Sequence, residues 1–478
     1  MPSSERIAPV AMARVAVVAP RARLRDVMVQ IADAGVVELE TAPGADEVPG
    51  PAARLLQRLG ATERGRERAD DAAVSLGPPD LAHLEREGRV DLVTGEAALE
   101  RLAGSAVTSD RAAALAGWMP ADRVAGLTQR LAGAGGAVVE LPRPSGAQPP
   151  TLLRRRGGAQ PFTTLVRTYS EVPYADVDPT PFAAAAYVVM FGMMFGDVGH
   201  GLVLVILAML ARIGRPRVLA RLRSAAPLVL ALGLAATAAG AAYGEFFGPT
   251  GVIPVLWLYP LDEPVTLLLA GLALGAVLLG IAYAIGTVNR VREGGWGYAL
   301  YAPSGLAGAT VFLGAGLVVG GLFASSDALV LVGSVLAGTG LVLSFVGLYV
   351  AAGRGGSAVV QAVVELFDLV VRLGSNVVSF ARIAAFGLTH AALGAVIWTA
   401  TVALWSGGGV RVAAAVLVFV LGNLVAFALE ALVAGVQALR LEYYELFSRV
   451  FQGEGRPFAP WHLPLVDQPT APTQEVSP

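Results

Sequence analysis

Ionisable residues stand inside the most apolar stretches of this sequence, and they are the residues whose types and spacing could do chemistry. Arg382 and His390 are eight positions apart in one such stretch, and Glu430 and Arg440 are ten positions apart in the next. A charge at membrane depth is expensive, and by default it indicates a function such as ion conduction. Because an arginine side chain stays protonated in proteins, Arg382 must act as a fixed cation beside a carboxylate or water.

An acidic residue precedes this group. Asp368 lies 14 positions before Arg382, and in a helix this separation is a rise of about 21 Å within about 40° of whole turns. The two side chains are predicted to share a face, with Asp368 near the cytoplasmic end, Arg382 near mid-membrane, and His390 and Glu430 toward the outside. Such an arrangement suits two offset proton half-channels. The alternative is an ion pair of Arg382 with Glu430 that only joins two helices.

A second polar group lies in the glycine-rich segment 196–201 (GDVGHG). Asp197 and His200 could cap a break in a helix there or could have a functional role, and both interpretations stay open. The other two histidines, His83 and His462, are predicted to be structural. The four scattered histidines and the absence of cysteine give no zinc-ligand spacing, so neither a metal nor another cofactor is predicted.

Composition excludes several classes of protein. All 35 basic residues are arginine, so the lysine of a phosphate-binding Walker loop and of a Schiff-base enzyme is missing. A formal net charge of −2 with interleaved signs in the polar part argues against nucleic-acid binding. No catalytic residue is predicted, and any nucleotide chemistry must lie on another chain.

The elements that position these residues are predicted to be membrane-spanning helices. Only 15% of residues are charged, against about 25% in soluble proteins, and 21 of the 35 arginines precede residue 180. We predict a cytoplasmic domain over 1–179, a transmembrane domain over 180–445 and a cytoplasmic tail over 446–478. The apolar runs are 182–210, 225–248, 265–288, 305–325, 328–353, 373–409 and 412–439.

The first run must cross the membrane an even number of times. Five arginines follow it between 212 and 223, and arginine-rich short loops are cytoplasmic. The polar domain before it has no apolar core of a signal peptide near its start and is expected in the cytoplasm as well. We therefore predict a hairpin of two short or tilted helices that breaks within 196–201. This gives about eight crossings, of which the last two are long and tilted. Both termini are then cytoplasmic.

The polar domain has two strand-helix-strand patterns. Strands are predicted over 13–19 and 36–39 with a helix between them, and the pattern recurs over 112–141. A charged helix over 53–71 is predicted to form a short neck between two small α/β lobes. A docking or scaffolding domain is the simplest function for this part.

Several segments resemble the membrane-embedded stator subunit of rotary V-type and A-type ATPases, called subunit a in eukaryotes and subunit I in prokaryotes. They are 149–153 (PPTLL), 178–182 (DPTPF), 191–201 (FGMMFGDVGHG), 379–393 (SFARIAAFGLTHAAL), 440–444 (RLEYY) and 453–458 (GEGRPF). The resemblance implies that Arg382 faces the ion-binding carboxylate of a rotor ring and that Arg440 supports it. It implies outer half-channel roles for Glu430 and His390 and a cytoplasmic half-channel role for Asp368.

Two positions depart from the family pattern. Arg372 stands where eukaryotic members have a neutral polar residue, and Gln437 stands where they have a histidine. The neck is also shorter than the family's long coiled coil. The implied partners are the proteolipid ring, the peripheral stalk, the central stalk and soluble ATPase subunits, and the lipid membrane.

Two other functions remain open at this stage. One is a secondary transporter whose intramembrane arginine binds an anionic substrate, and the other is a membrane anchor for a cytoplasmic docking domain. Abundant alanine, glycine and arginine without lysine favours a prokaryotic plasma membrane over an organelle.

Overall fold

The computed structural model describes residues 9–40, 50–59, 72–144, 147–153, 160–214, 216–451 and 455–466. The chain forms two compact units. Among the described residues, the first, which we call the sheet unit, comprises 9–153 and 455–466, and the second, the helical unit, comprises 160–451. The segment that follows residue 454 thus belongs with the N-terminal unit, although some 300 residues separate them in sequence.

One antiparallel sheet organises the sheet unit. Its strands lie in the order β2-β4-β1-β5, and β3 also pairs with β4. Nine residues of β1 pair with nine of β4, from Met12 opposite Pro120 to Pro20 opposite Ala112. The strands are β1 (Met12–Pro20), β2 (Glu38–Leu39), β3 (Val107–Thr108), β4 (Ala112–Pro120) and β5 (Ala137–Leu141). The two strand-helix-strand patterns therefore share one sheet instead of forming the two lobes that the sequence suggested.

Five described α-helices accompany this sheet: the first, fourth and fifth pack against its buried face, and the second and third pack against the fourth. They are α1 (Leu24–Ala34), α2 (Pro51–Leu59), α3 (Leu81–Glu87), α4 (Val90–Gly104) and α5 (Val124–Ala132). Val27 and Ile31 of α1 pack with Val15 and Val17 of β1 in a buried core, because a helical spacing of four meets a strand spacing of two. Residues 60–71 of the predicted neck lie outside the described residues.

Gly35 ends α1 in the left-handed conformation, with φ of 58°. A Cβ atom at this position would lie 2.9 Å from Nδ1 of His462, so glycine is required for both reasons. His462 lies 2.9 Å from the carbonyl of Ala32. This contact fits the structural role that the sequence predicted for His462.

The helical unit is built from apolar helices. Within the described ranges, six helical stretches are long and apolar enough to cross a membrane, and one of them, Gly356–Trp405, is divided at Phe380 into two helices. Two more helices, over Thr180–Met194 and Val198–Ile213, are apolar but shorter. In chain order the helices of this unit are α6 (Gln160–Tyr169), α7 (Thr180–Met194), α8 (Val198–Ile213), α9 (Arg217–Ala220), α10 (Ala226–Tyr243), α11 (Pro264–Tyr301), α12 (Leu306–Phe323), α13 (Asp327–Ala351), α14 (Gly356–Ser379), α15 (Ala381–Trp405), α16 (Val410–Leu441) and α17 (Ser448–Val450). A π-helical turn over Glu442–Phe447 joins α16 to α17.

The first apolar run reverses direction between α7 and α8. Gly192 of α7 lies against Ala235 of α10, whereas Gly201 of α8 lies against Thr237, and Gly240 meets the start of α8. As the chain runs along α7, its contacts with α10 shift toward the C-terminal end of α10, and along α8 they shift back. The fold-back predicted from the arginine-rich loop is present, at residues 195–197, just where the predicted segment 196–201 begins.

Candidate functional site

Arg382 lies in the first turn of α15, immediately after the buried Phe380 that separates α14 from α15. Its Nη2 donates a hydrogen bond of 3.3 Å to Oε1 of Glu445, and about a quarter of its side chain is exposed. Its Nη1 has no hydrogen-bond partner among the described residues. The carboxylate beside Arg382 is therefore Glu445, not the Glu430 of the alternative interpretation.

Glu430 pairs instead with His390. Nδ1 of His390 on α15 is in close contact with Oε2 of Glu430 on α16. The other ring nitrogen, Nε2, lies 3.9 Å from Oε2 of Glu245, just after α10. His390 and Glu245 are 5% and 1% exposed, so one imidazole lies between two carboxylates in the interior of the helical unit.

Asp197 has the capping role that the sequence allowed. Its Oδ1 accepts hydrogen bonds from the backbone N–H of His200 at 2.9 Å and of Phe247 at 3.0 Å. Its Oδ2 accepts from the N–H of Gly248 at 2.8 Å. The carboxylate therefore begins α8 and also holds the loop after α10 against it.

His200 lies beside His390. The two imidazole rings are 5.6 Å apart and meet edge to face, and the ring of His200 also contacts those of Phe195, Phe247 and Phe427. The fold thus brings Asp197, His200, Glu245, His390 and Glu430 into one buried group. A separation of 190 residues between the histidines gives no local sequence signal for this proximity.

Asp368 lies apart from these groups. It is half-exposed on α14, and its carboxylate accepts a hydrogen bond of 2.7 Å from Nε of Arg372, one turn later. Arg372 is the residue that departs from the family pattern. Arg372 therefore places a cation beside Asp368 on the same helix.

Arg440 is exposed near the C-terminal end of α16. Its charge acts on the carboxylate of Glu445 together with that of Arg382. Nearby, Oε1 of Gln437, the second departure from the family pattern, is buried without a hydrogen-bond partner among the described residues. Arg382 and Arg440 therefore both interact electrostatically with the carboxylate of Glu445.

Three buried carboxylates escaped the sequence reasoning. Glu442 is fully buried and Glu445 is 5% exposed, and both belong to the π-helical turn, just beyond the last apolar run. Glu245 lies near the end of the apolar run 225–248. The detectable signal for Glu245 was an acidic residue within an apolar run, the same signal that identified Glu430.

Outside the membrane-spanning helices, a further acidic group lies in the segment before α7. Burial raises the pKa of Asp176 to about 8, and the neighbouring carboxylate of Glu293 acts in the same direction. The next residue, Val177, donates its N–H to Oδ1 of Asn289 at 2.9 Å, and Asn289 donates to the carbonyl of Val450. This network joins the segment before α7, helix α11 and helix α17.

A unit of apolar helices with buried ion pairs, together with a small antiparallel α/β unit, defines a multi-pass membrane protein with ionisable groups among its helices. Comparison of the sequence with known families identifies the family within this class. The chain belongs to the V-type ATPase 116kDa subunit family, whose profile matches residues 104–248 and 354–463. The matched ranges include Asp197, His200, Arg382, His390 and Glu430.

Curated relatives agree with this family. An A-type ATP synthase subunit I of Thermococcus kodakarensis is 29% identical over 370 residues, which cover 73% of this chain and 54% of the relative. The subunit I of Aeropyrum pernix is also 29% identical, over 67% of this chain and 52% of the relative. A V-type ATP synthase subunit I 2 of Treponema pallidum is 33% identical over 209 residues, 37% of this chain and 46% of the relative. The chain spans about half the length of the curated relatives it matches.

Proposed function

We propose that this chain is the membrane stator subunit of a rotary V/A-type ATPase and that protons cross at its surface while a proteolipid ring turns. The subunit itself is non-catalytic, and ATP is hydrolysed or made on other subunits. The observation that carries the proposal is Arg382, a cation within an apolar helical unit. It hydrogen-bonds to one carboxylate, and its Nη1 has no hydrogen-bond partner among the described residues. Such a cation is available to a second carboxylate.

The surroundings of Arg382 suit a ring of small membrane subunits. Large apolar side chains on α14 and α16, the helices before and after that of Arg382 in the chain, are more than half exposed, among them Val378, Leu429, Leu432 and Val436. A carboxylate on a passing ring subunit would be stabilised in its ionised form within about 4–6 Å of the arginine. Arg382 would therefore drive the release of the proton that the ring carboxylate carries.

Protons need a path to and from the ring carboxylate. We assign the outer half-channel to Glu430 and His390, with Glu245 beside them, because these groups form a buried chain of titratable side chains. We assign the inner half-channel to Asp368, with Arg440 as the supporting cation near Glu445. Arg382 lies between the two groups and prevents a proton from passing directly.

The remaining partners follow from the same assignment. The sheet unit would contact the peripheral stalk, and the central stalk and soluble ATPase subunits would complete the assembly. We place the chain in a prokaryotic plasma membrane with both termini in the cytoplasm.

The test is substitution of the central arginine in the assembled complex. Arg382→Ala, Arg382→Gln and Arg382→Lys should abolish ATP-driven acidification of proteoliposomes while the other subunits still co-purify. Arg411→Gln removes an exposed arginine from the start of α16 and should leave acidification unchanged. Near-normal pumping by Arg382→Ala would refute the proposal, and a defect confined to variants that fail to assemble would favour a purely structural ion pair.

A further inference from the structure

The buried group around His200 has the composition of a metal site. Asp197, His200 and His390 each offer a ligand atom, and these atoms lie within 4.8 Å of one another. Glu245 lies beside them, with Oε2 3.9 Å from Nε2 of His390. The four side chains come from the start of α8, the loop after α10 and the middle of α15, so a bound ion would join three parts of the helical unit.

Two of these side chains have buried polar atoms that form no hydrogen bond with the part of the chain that the structure describes. Both ring nitrogens of His200 and Oε1 of Glu245 are buried without a hydrogen bond to any described residue. His200 is 3% exposed and Glu245 is 1% exposed. Buried polar atoms are nearly always satisfied, so nitrogen and oxygen atoms without a hydrogen-bond partner in this group indicate something that binds there.

The other two ligands are held in position. Asp197 accepts three backbone hydrogen bonds, two on Oδ1 and one on Oδ2, which fix its carboxylate and leave one lone pair on Oδ2. Glu430 contacts Nδ1 of His390, so Nε2 is the nitrogen directed toward Glu245. A carboxylate behind a ligating imidazole is the usual outer shell of a metal-bound histidine, because it fixes the tautomer and ring orientation.

We propose that Asp197, His200, Glu245 and His390 bind a divalent transition-metal ion, for which Zn²⁺ is the best match, and that Glu430 positions His390. Two imidazoles and two carboxylates are a ligand set for Zn²⁺, whereas Mg²⁺ and Ca²⁺ take oxygen ligands. Two neutral imidazoles and two carboxylates also carry a charge of −2, which a divalent cation cancels in a buried space.

This site shares His390 and Glu430 with the outer half-channel of the proposed function. A metal ion would occupy the groups that protons must use, and it would therefore inhibit transport from the outer side. The site itself is defined by the residues of one chain. Its test needs neither the ring nor ATP, so failure of metal binding would leave the proposed rotary function untouched.

The experiment is metal binding to the full-length chain, purified in detergent and stripped of metal with a chelator. Titration with Zn²⁺ in a calorimeter should give one ion per chain, and Co²⁺ should give the intense visible absorption of a tetrahedral site. His200→Ala should weaken Zn²⁺ binding by about 100-fold or more. Glu430→Gln should weaken it by about 10–100-fold, the typical effect of removing an outer-shell partner.

His83→Ala is the matched control. It removes an exposed histidine of the sheet unit that lies beside Glu87, and it should bind Zn²⁺ like the wild type. Because His200→Ala could fail to fold, His200→Asn is measured in parallel, and Zn²⁺ should raise the melting temperature of the wild type but not of this variant. A wild-type chain that binds no Zn²⁺, or His200 variants that bind it unchanged, would overturn the proposal.

Discussion

The carboxylate that Arg382 contacts is determined by the π-helical turn at the end of α16. A π-helical turn contains more residues than an α-helical turn, so the side chains within and after Glu442–Phe447 are rotated relative to those of α16. Glu445 consequently reaches Arg382, whereas Arg440, five residues earlier, stays exposed. A local change of helical geometry therefore selects the ion pair.

Two neighbouring glutamates allow this ion pair to be tested. Glu445→Gln removes the charge beside Arg382 while preserving volume, and hydrogen bonds between charged groups contribute about 1.5–3 kcal/mol. Because Arg382 is partly exposed, we expect a loss of about 1–2 kcal/mol in the free energy of unfolding. Thermal unfolding of the purified chain in detergent, followed by the fluorescence of its six tryptophans, measures it.

Glu442→Gln is the control for Glu445→Gln. Glu442 is equally buried and lies in the same turn, but its carboxylate oxygens have no hydrogen-bond partner among the described residues. Its replacement by the neutral amide should change stability little or raise it, since no charged interaction is lost. Equal effects of the two substitutions would mean that the contact of Glu445 with Arg382 does not contribute to stability.

Sequence reasoning selected single ionisable residues where an apolar run made them stand out. Arg382, His390 and Glu430 were recognisable because charged or titratable groups are rare in apolar runs. It did not identify Glu445 or Glu442, because they lie just past the last apolar run, where acidic residues are ordinary. Which carboxylate meets which cation depends on helix packing and on the π-helical turn, and neither has a signature in residue spacing.

Among the helices, the close packing of α7 and α8 against α10 depends on glycine. A Cβ atom on Gly192 would lie 2.8 Å from Cβ of Ala235, and one on Gly201 would lie 2.6 Å from the backbone nitrogen of Thr237. Real Cβ atoms do not approach other atoms this closely, so either helix would have to move. The reversal at residues 195–197 therefore rests on small residues as much as on the cap at Asp197.

Gly192→Ala should destabilise the helical unit. Overpacking of a well-packed interior typically costs about 1–3 kcal/mol, and melting of the purified chain in detergent would measure the loss. Gly316→Ala is the matched control, because α12 has nothing within 4 Å of a Cβ atom there, and alanine favours a helix over glycine by up to about 1 kcal/mol. Gly192→Ala melting at or above the temperature of Gly316→Ala would contradict the packing described.

Some helices and strands could be predicted from the sequence, whereas the pairing of distant strands could not. The fold-back of the first apolar run could be predicted because a polar domain expected in the cytoplasm precedes it and an arginine-rich loop follows it, and together they constrain the number of crossings. Strand β1 could be predicted from the valine-rich run 13–19 (ARVAVVA), and in the structure Val15 and Val17 alternate with less buried residues. The pairing of β1 with β4 could not, since it joins segments about 100 residues apart and no local pattern encodes which distant strand is the neighbour.

Both ends of the described chain contribute to the sheet unit, and this constrains the topology. Residues 455–466 hydrogen-bond within that unit: Trp461 N–H donates to the carbonyl of Val37 at 2.9 Å, and Leu463 N–H donates to that of Ala32 at 3.1 Å. Leu463 also belongs to the core formed by Met28 and Leu115. A single folded unit lies on one side of a membrane, so the helices between its two parts must cross an even number of times.

An even number of crossings agrees with the arginine pattern, and labelling can test it. The chain contains no cysteine, so single-cysteine variants at exposed positions report their side of the membrane directly. We expect Ser109→Cys in the sheet unit and Arg221→Cys after α8 to react with an impermeant maleimide from the cytoplasmic side. Asp262→Cys, between α10 and α11, should react only from the opposite side, because one crossing separates it from Arg221. Reaction of Ser109→Cys and Arg221→Cys from opposite sides would show that α7 and α8 cross as one span, and the outer and inner half-channels would then have to be reassigned.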